Sequence, residues 1–276
     1  MTAMPRWPVG FQTYTWQARR EQGFPLPPFE QVIEEVAAAG YDGVETSTTM
    51  LGALLDRPSQ VRAALDAADL RMVALAFSPR SGWTDPAFRE ADLAAADRLI
   101  AFLQGLGPGQ RLALGSGIAN SAADGNAAWH YMIDQYHRVA ERARAAGLTV
   151  HLHPNSSAQS MVRMRADYDR LVADIDPALI EFGPDTGHIM RGDETPLALV
   201  SRHIGRITHL HIKDAHANGD YAFLGTGDAA IPAVIELLRE RGYQGWIVAE
   251  DESNEGMRDP VATLSRSRAY LRGLGV

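Results

Sequence analysis

Eight short apolar runs recur along the chain, near residues 9–14, 43–46, 72–77, 111–114, 149–153, 180–183, 207–211 and 246–250. Each has the length of a β-strand, and the stretches between them carry helical spacing instead. Phe29, Val32, Ile33, Val36 and Ala37 fall on one stripe of an amphipathic helix. Ile231, Val234, Ile235 and Leu238 repeat that stripe, with Asp228 as the candidate N-cap. The same reading predicts helices over 58–68, 91–106, 127–146, 158–173, 196–203 and 260–272. Gly40, Gly147 and Gly242 sit where three helices must end and the chain turn back into the sheet.

Alternation of this kind predicts a parallel sheet, and eight units predict its closure into a (β/α)8 TIM barrel. One barrel domain is expected across residues 1–276. The competing architecture, an open doubly wound sheet, calls for a G-x-G-x-x-G after the first strand, and none is there. The proline-rich FPLPPF at 24–29 reads as a stiffened loop after the first strand.

At 276 residues the chain has the length of one such barrel. It contains no cysteine, which excludes disulfides, thiolate metal sites and a cysteine nucleophile. Any metal must be held by nitrogen and oxygen. The net charge of −8, from 26 basic and 34 acidic residues, argues against a polyanionic partner, so no nucleic acid is expected. The first residues lack the pattern of a signal peptide and no stretch is long enough to span a bilayer, so a cytoplasmic location without membrane association is expected.

Four polar residues end four successive runs in the second half of the chain: His153, Asp185, His211 and Glu250. They recur at intervals of one strand plus one helix, which places all four at the C-terminal mouth of the barrel. Two imidazoles and two carboxylates converging there would bind a divalent metal. Manganese or cobalt suits such a mixed set with open positions, with zinc or magnesium as alternatives. Residues two apart on a strand share a face, so His151 and His209 lie deeper, as interior filling or as outer hydrogen-bond partners. Seven of the nine histidines fall between positions 151 and 216.

Other candidates surround this set. Glu250 is the candidate for both ligand and proton-transfer base. His188, in PDTGHIMRGD, is placed to reach a ligand's oxygens, while Asp185 also reads as a helix cap. Lys213 shares its face with His211 and either stabilises an enolate oxygen or pairs with Asp214 or another rim carboxylate. Asp251 and Glu252 are expected to face away. Tyr14 and Trp16, and Phe77 and Trp83, follow the first and third strands, where aromatics form a wall for a sugar ring or simply pack against helices. Glu45 is a candidate for binding a substrate hydroxyl or for a structural ion pair with an arginine. Arg80 and Arg191 lie on loops that could meet an anionic group.

These residues resemble the xylose isomerase-like barrel group, often called sugar phosphate isomerases/epimerases, which includes inosose dehydratases and isomerases. The matching pieces are AAAGYDGVE at 37–45, HLHPN at 151–155, PDTGH at 184–188, HLHIKD at 209–214 and LGTGDAAIPAVIELLRERGYQGWIVAE at 224–250. The resemblance implies a metal-dependent enzyme acting on a keto-sugar, keto-inositol or oxidised glycoside, with Asn155, His188 and Lys213 orienting or polarising substrate. In the epimerase branch the fifth strand ends in a glutamate at the position of His153, with a histidine where this chain has Asn155. That departure disfavours two-base epimerisation and favours the dehydratase branch. A single base that removes an α-proton yields an enediolate, and loss of a β-oxygen then gives elimination. Aldose–ketose isomerisation and 3-epimerisation stay open. So do an endonuclease IV-like repair enzyme, which the acidic charge opposes, and a sugar-binding barrel. A homo-oligomer or a partner subunit completing the site is also compatible.

Overall fold

The computed structural model describes residues 6–119 and 125–276. Among the described residues are ten strands: β1 (Val9–Gln12), β2 (Gly43–Ser47), β3 (Arg71–Phe77), β4 (Arg111–Gly115), β5 (Thr149–His153), β6 (Glu181–Phe182), β7 (His209–Ile212), β8 (Asp214–Ala215), β9 (Tyr221–Ala222) and β10 (Trp246–Ala249). Eight of them form one parallel sheet in the order β6-β5-β4-β3-β2-β1-β10-β7, and β8 and β9 pair as a separate antiparallel hairpin. Between β6 and β7 no extended ladder forms. Two single parallel bridges, Phe182 to Ile207 and Asp185 to His211, close that seam. The outcome is a nearly closed (β/α)8 barrel.

The eight sequence runs and the barrel strands coincide to within a few residues. Helices at Phe29–Ala38, Pro58–Ala67, Arg89–Leu106, Gly125–Ala145, Pro196–His203, Ile231–Glu240 and Pro260–Gly273 also fall where the apolar stripes place them. Gly147 and Gly242 take φ of +79° and +63°, the left-handed turn that ends a helix.

Three expectations require correction. The helix expected over 158–173 begins only at Arg165, because the Asp167 carboxylate accepts the backbone N–H groups of Arg163 and Met164 and so defines the first turn. Asp228 does not cap the helix at Ile231: its carboxylate accepts the N–H of Ala217, and Ala230 takes the cap position with φ of +52°. The chain after β1 enters a helix at Tyr14–Glu21 before reaching the proline-rich loop.

Side chains inside the barrel are layered. At the floor, Gly10 of β1 lies in register with Gly43 of β2. The β2–β3 register shifts by one between Val44 and Glu45, which leaves Val73 as an extra residue in β3. A β-bulge of this kind re-aims a side chain. A methyl of Val73 lies 2.9 Å and 2.6 Å from where a Cβ on Gly10 or Gly43 would stand, so the two glycines provide its space. A Cβ at Gly43 would also come within 2.7 Å of the Arg71 carbonyl oxygen, a backbone atom that cannot rotate away. Gly43→Ala is therefore expected to destabilise the fold by about 1–3 kcal/mol, as overpacking does. Chemical denaturation checks this, and an unchanged midpoint would contradict the packing described.

Candidate metal centre

The mouth of the barrel is lined by the C-terminal ends of its strands. His153 is the last residue of β5, Asp185 follows β6, His211 lies within β7, and Glu250 follows β10. The structure brings all four together: one ligand-type atom from each lies within 4.8 Å of the others. Asp185 and His211 are fully buried and Glu250 is 4% exposed. Asp185 caps the next helix as anticipated: Oδ1 accepts the His188 N–H at 3.0 Å at the start of the short helix Thr186–Ile189, while Oδ2 faces the cluster and the Lys213 ammonium at 3.1 Å.

The two imidazoles are held from behind. His153 Nδ1 lies 3.2 Å from the Gly183 carbonyl oxygen, an acceptor only, so Nδ1 carries the proton and Nε2 is left as an open donor atom. His211 places Nδ1 at 2.6 Å from Glu250 Oε2, and its Nε2 faces Glu45 Oε1 at 3.2 Å.

Of the two readings open for Lys213, the structure shows the pairing with rim carboxylates. Lys213 is fully buried, and its Nζ lies 3.1 Å from Asp185 Oδ2, 3.1 Å from Glu250 Oε1 and 2.5 Å from Glu252 Oε1. Asp214 is not its partner: that carboxylate accepts backbone N–H groups of Gly225, Gly227 and Ala229 and shapes the following loop. Glu252, expected to face away, lines the cavity and pairs with Lys213. Asp251 is buried as well, accepting from the Ser253 N–H and hydroxyl.

Charge at the mouth is distributed by competition between burial and neighbours. Burial opposes the positive charge of Lys213, yet Asp185, Glu250 and Glu252 outweigh it and hold the amine well above its usual range. Burial likewise opposes protonation of His211, but Glu45 and Glu250 raise it to about 10. Burial would raise Glu250, and Lys213 and His211 reverse that and hold it well below the usual carboxylate range. Glu252 is pushed up to about 7, first by burial. Ionised Asp185, Glu250 and Glu45 thus outnumber the cations His211 and Lys213. An excess of buried negative charge, an Asp185 oxygen faced by an ammonium at 3.1 Å and a His153 imidazole braced through Nδ1 fit a divalent cation.

A cavity of about 480 Å³ opens above this cluster, within the usual range for small-molecule sites. Tyr14, Phe77, Asn155, His188, Arg191 and Glu250 line it, as anticipated. Trp16, Trp83 and Glu45 do not. Trp16 packs edge-on against Phe11 in the core at 5.9 Å, and Trp83 packs against Phe77 at 5.3 Å, supporting that wall of the cavity from behind. Glu45 is fully buried beneath the mouth and pairs with histidines, neither with an arginine nor with the cavity. Arg80 lines a separate surface groove.

The sequence reading missed Tyr221, Gln12 and Glu252. Tyr221, on β9, places its hydroxyl 2.8 Å from His188 Nδ1, where Ser156 Oγ also lies at 2.9 Å, and it accepts from Arg191 Nη1 at 3.0 Å. No periodicity marks a residue on a short hairpin. Glu252 was accessible to the same two-residue rule that paired Lys213 with His211.

Burial also sets how the fold responds to acid. It presses His153, His188 and His209 from the ordinary 6.5 to about 4, 3 and 4. These imidazoles take up protons on unfolding, so the stability they add is complete above pH 6.5 and is lost as the pH falls toward 4. Glu252 and Asp251, raised to about 7 and about 6, act with the opposite sign, but His151 is also held well below 6.5, so two carboxyls stand against four imidazoles. The denaturation midpoint of metal-free protein is expected to be lower at pH 4.5 than at pH 7. A flat profile would contradict this charge assignment.

Comparison with known proteins agrees with the geometry. A family profile described as xylose isomerase-like TIM barrel matches residues 33–274. The chain is 26% identical to an inosose dehydratase of Lacticaseibacillus casei over 274 residues, covering 88% of each chain. Among solved structures, the fold is similar to the 3-keto-D-glucoside 4-epimerase YcjR of E. coli, with a TM-score of 0.77, 19% identity, and 97% and 100% of the two chains covered. It is also similar to the IOLI protein solved with a bound zinc atom, with a TM-score of 0.78, 15% identity, and 98% and 96% covered. No described helix is long and apolar enough to cross a membrane.

Proposed function

The chain belongs to the xylose isomerase-like TIM barrel family, and on that footing we propose that it is a metal-dependent enzyme acting on a keto-sugar, keto-inositol or oxidised glycoside through an enediolate. Elimination, as in an inosose dehydratase, is the favoured outcome. The observation that carries this reading is the convergence of His153, Asp185, His211 and Glu250 beneath a cavity lined by hydroxyl and amide groups. Similarity to an inosose dehydratase along most of both chains supports the lyase outcome. The likeness of fold to a keto-glucoside epimerase keeps isomerisation or epimerisation as the second reading. With a net charge of −8, a DNA-repair role has no electrostatic support.

His153, Asp185, His211 and Glu250 would hold the cation, for which we favour manganese over cobalt, zinc or magnesium. When bound, it supplies Lewis acidity to a substrate carbonyl and its neighbouring hydroxyl. Glu250 is the base that takes the α-proton on a carboxylate oxygen, and Lys213, 3.1 Å from Glu250 before the cation binds, would move aside to polarise the substrate oxygen. His188 lines the cavity with Nδ1 held by Tyr221 and Ser156 and Nε2 3.1 Å from the Lys213 ammonium, and it would orient the departing or reprotonated substrate oxygen. Asn155 binds a substrate hydroxyl, while Tyr14 and Phe77 pack against the ring's C–H face. The full chain acts as one barrel domain in the cytoplasm, with its state of assembly set by homo-oligomerisation or a partner subunit.

Activity on keto-inositols and 3-keto-glucosides is expected to vanish after chelation and return with manganese, and full activity in the metal-stripped protein would refute the proposal. In deuterium oxide, NMR should detect a dehydrated product. Deuterium uptake at the α-carbon without loss of water would instead establish isomerisation or epimerisation. Glu250→Gln is expected to reduce kcat by about 10²–10⁴-fold. A smaller loss with metal still bound would remove Glu250 from the role of base.

A further inference from the structure

Directly beneath the mouth lies a second polar layer, formed by Gln12, Glu45, His151 and His209, all 5% exposed or less. Glu45, His151 and His209 have ligand-type atoms within 4.8 Å of one another, which raises the question of a second ion. The ring geometry opposes one. His151 and His209 stack with centroids 4.1 Å apart and planes within 23°, and an imidazole lone pair lies in its ring plane, so the two cannot both point at one cation. His209 Nε2 is, moreover, already hydrogen-bonded to Glu45 Oε2 at 2.7 Å.

Glu45 instead links this layer to the one above. Gln12 Nε2 donates to its Oε1 at 2.8 Å and His209 holds its Oε2, so strands β1 and β7 clamp a carboxylate carried on β2. The same Oε1 faces His211 Nε2 at 3.2 Å, an ion-pair contact whose N–H is not aligned on the oxygen. The other edge of that ring, Nδ1, lies 2.6 Å from Glu250 and 3.9 Å from Asp185. We infer that Glu45 is a positioning residue that holds the His211 ring with Nδ1 directed at the metal centre. The inference rests on the reading of His211 as a metal ligand. Glu45 stands behind His211 as the Gly183 carbonyl stands behind His153, here through an ion-pair contact in place of an aligned hydrogen bond, and a carboxylate partner raises the basicity of the ligating nitrogen. Simple filling of the barrel does not require it, since an apolar side chain would occupy the same space without the cost of burying a charge.

The test is calorimetric titration of metal-free protein, unaltered and Glu45→Gln, with Mn²⁺, alongside the visible spectrum of the Co²⁺-loaded forms. Glu45→Gln is expected to weaken Mn²⁺ binding by about 10–100-fold and to alter the cobalt spectrum, while the far-UV circular dichroism is unchanged. A folded Glu45→Gln protein that binds Mn²⁺ within twofold of the unaltered chain, with the same cobalt spectrum, would overturn the inference and leave the metal centre standing. Absence of Mn²⁺ binding by the unaltered chain would refute the metal centre itself. Should the variant not fold, nitrogen NMR of the imidazoles in the unaltered Zn²⁺-loaded protein decides: coordination of His211 through Nδ1 supports the role of Glu45, and coordination through Nε2 overturns it.

Discussion

Carboxylates that have lost their water dominate this molecule. Asp185, Glu45 and Glu250 are 4% exposed or less, and removing such groups from solvent costs several kcal/mol each unless partners replace the lost hydration. Lys213 and the imidazolium of His211 replace part of it, and a divalent cation that displaced the His211 Nδ1 proton would, with Lys213, balance the three carboxylate charges. Cation binding and the ionisation of the mouth are thus one electrostatic problem. The position of Lys213 is informative on this point. Its ammonium bridges two of the four proposed ligands, as a monovalent counter-charge would.

The barrel places that cluster where its own closure is weakest. The seam between β6 and β7 is joined by two isolated bridges, and one of them pairs Asp185 with His211. The His211 N–H also donates to the Pro184 carbonyl oxygen at 3.0 Å. Two proposed ligands therefore belong to the last backbone connection that shuts the barrel. A cation shared between them would cross-link the seam as well as assemble the site, which ties the chemistry of the mouth to the integrity of the fold.

Much of this was legible in the sequence because strand ends and two-residue alternation are local properties. Alternation placed His153 and His211 at the mouth and His151 and His209 below them, and the spacing of runs identified eight strands without reference to their pairing. What the sequence did not disclose were partners brought together across the barrel. Glu45 meets His209 and His211 only because β2 and β7 face each other through the interior, so its partners are neither the substrate hydroxyl nor the arginine that its position in the sequence suggested. Trp16 and Phe77 read alike as aromatics on mouth loops. Only packing reveals that Phe77 faces the cavity and Trp16 the core. Helix starts failed where a side chain diverted the backbone, as Asp167 does ahead of Arg165.

The central claim is that His153, Asp185, His211 and Glu250 enclose one cation at the barrel mouth. Anomalous diffraction from crystals grown with manganese, recorded at the manganese edge, addresses it most directly. The account requires a single strong peak within coordination distance of His153 Nε2, Asp185 Oδ2, His211 Nδ1 and a Glu250 oxygen, with the Lys213 ammonium withdrawn from between the two carboxylates. No peak at the mouth, with Lys213 still bridging Asp185 and Glu250, would contradict it.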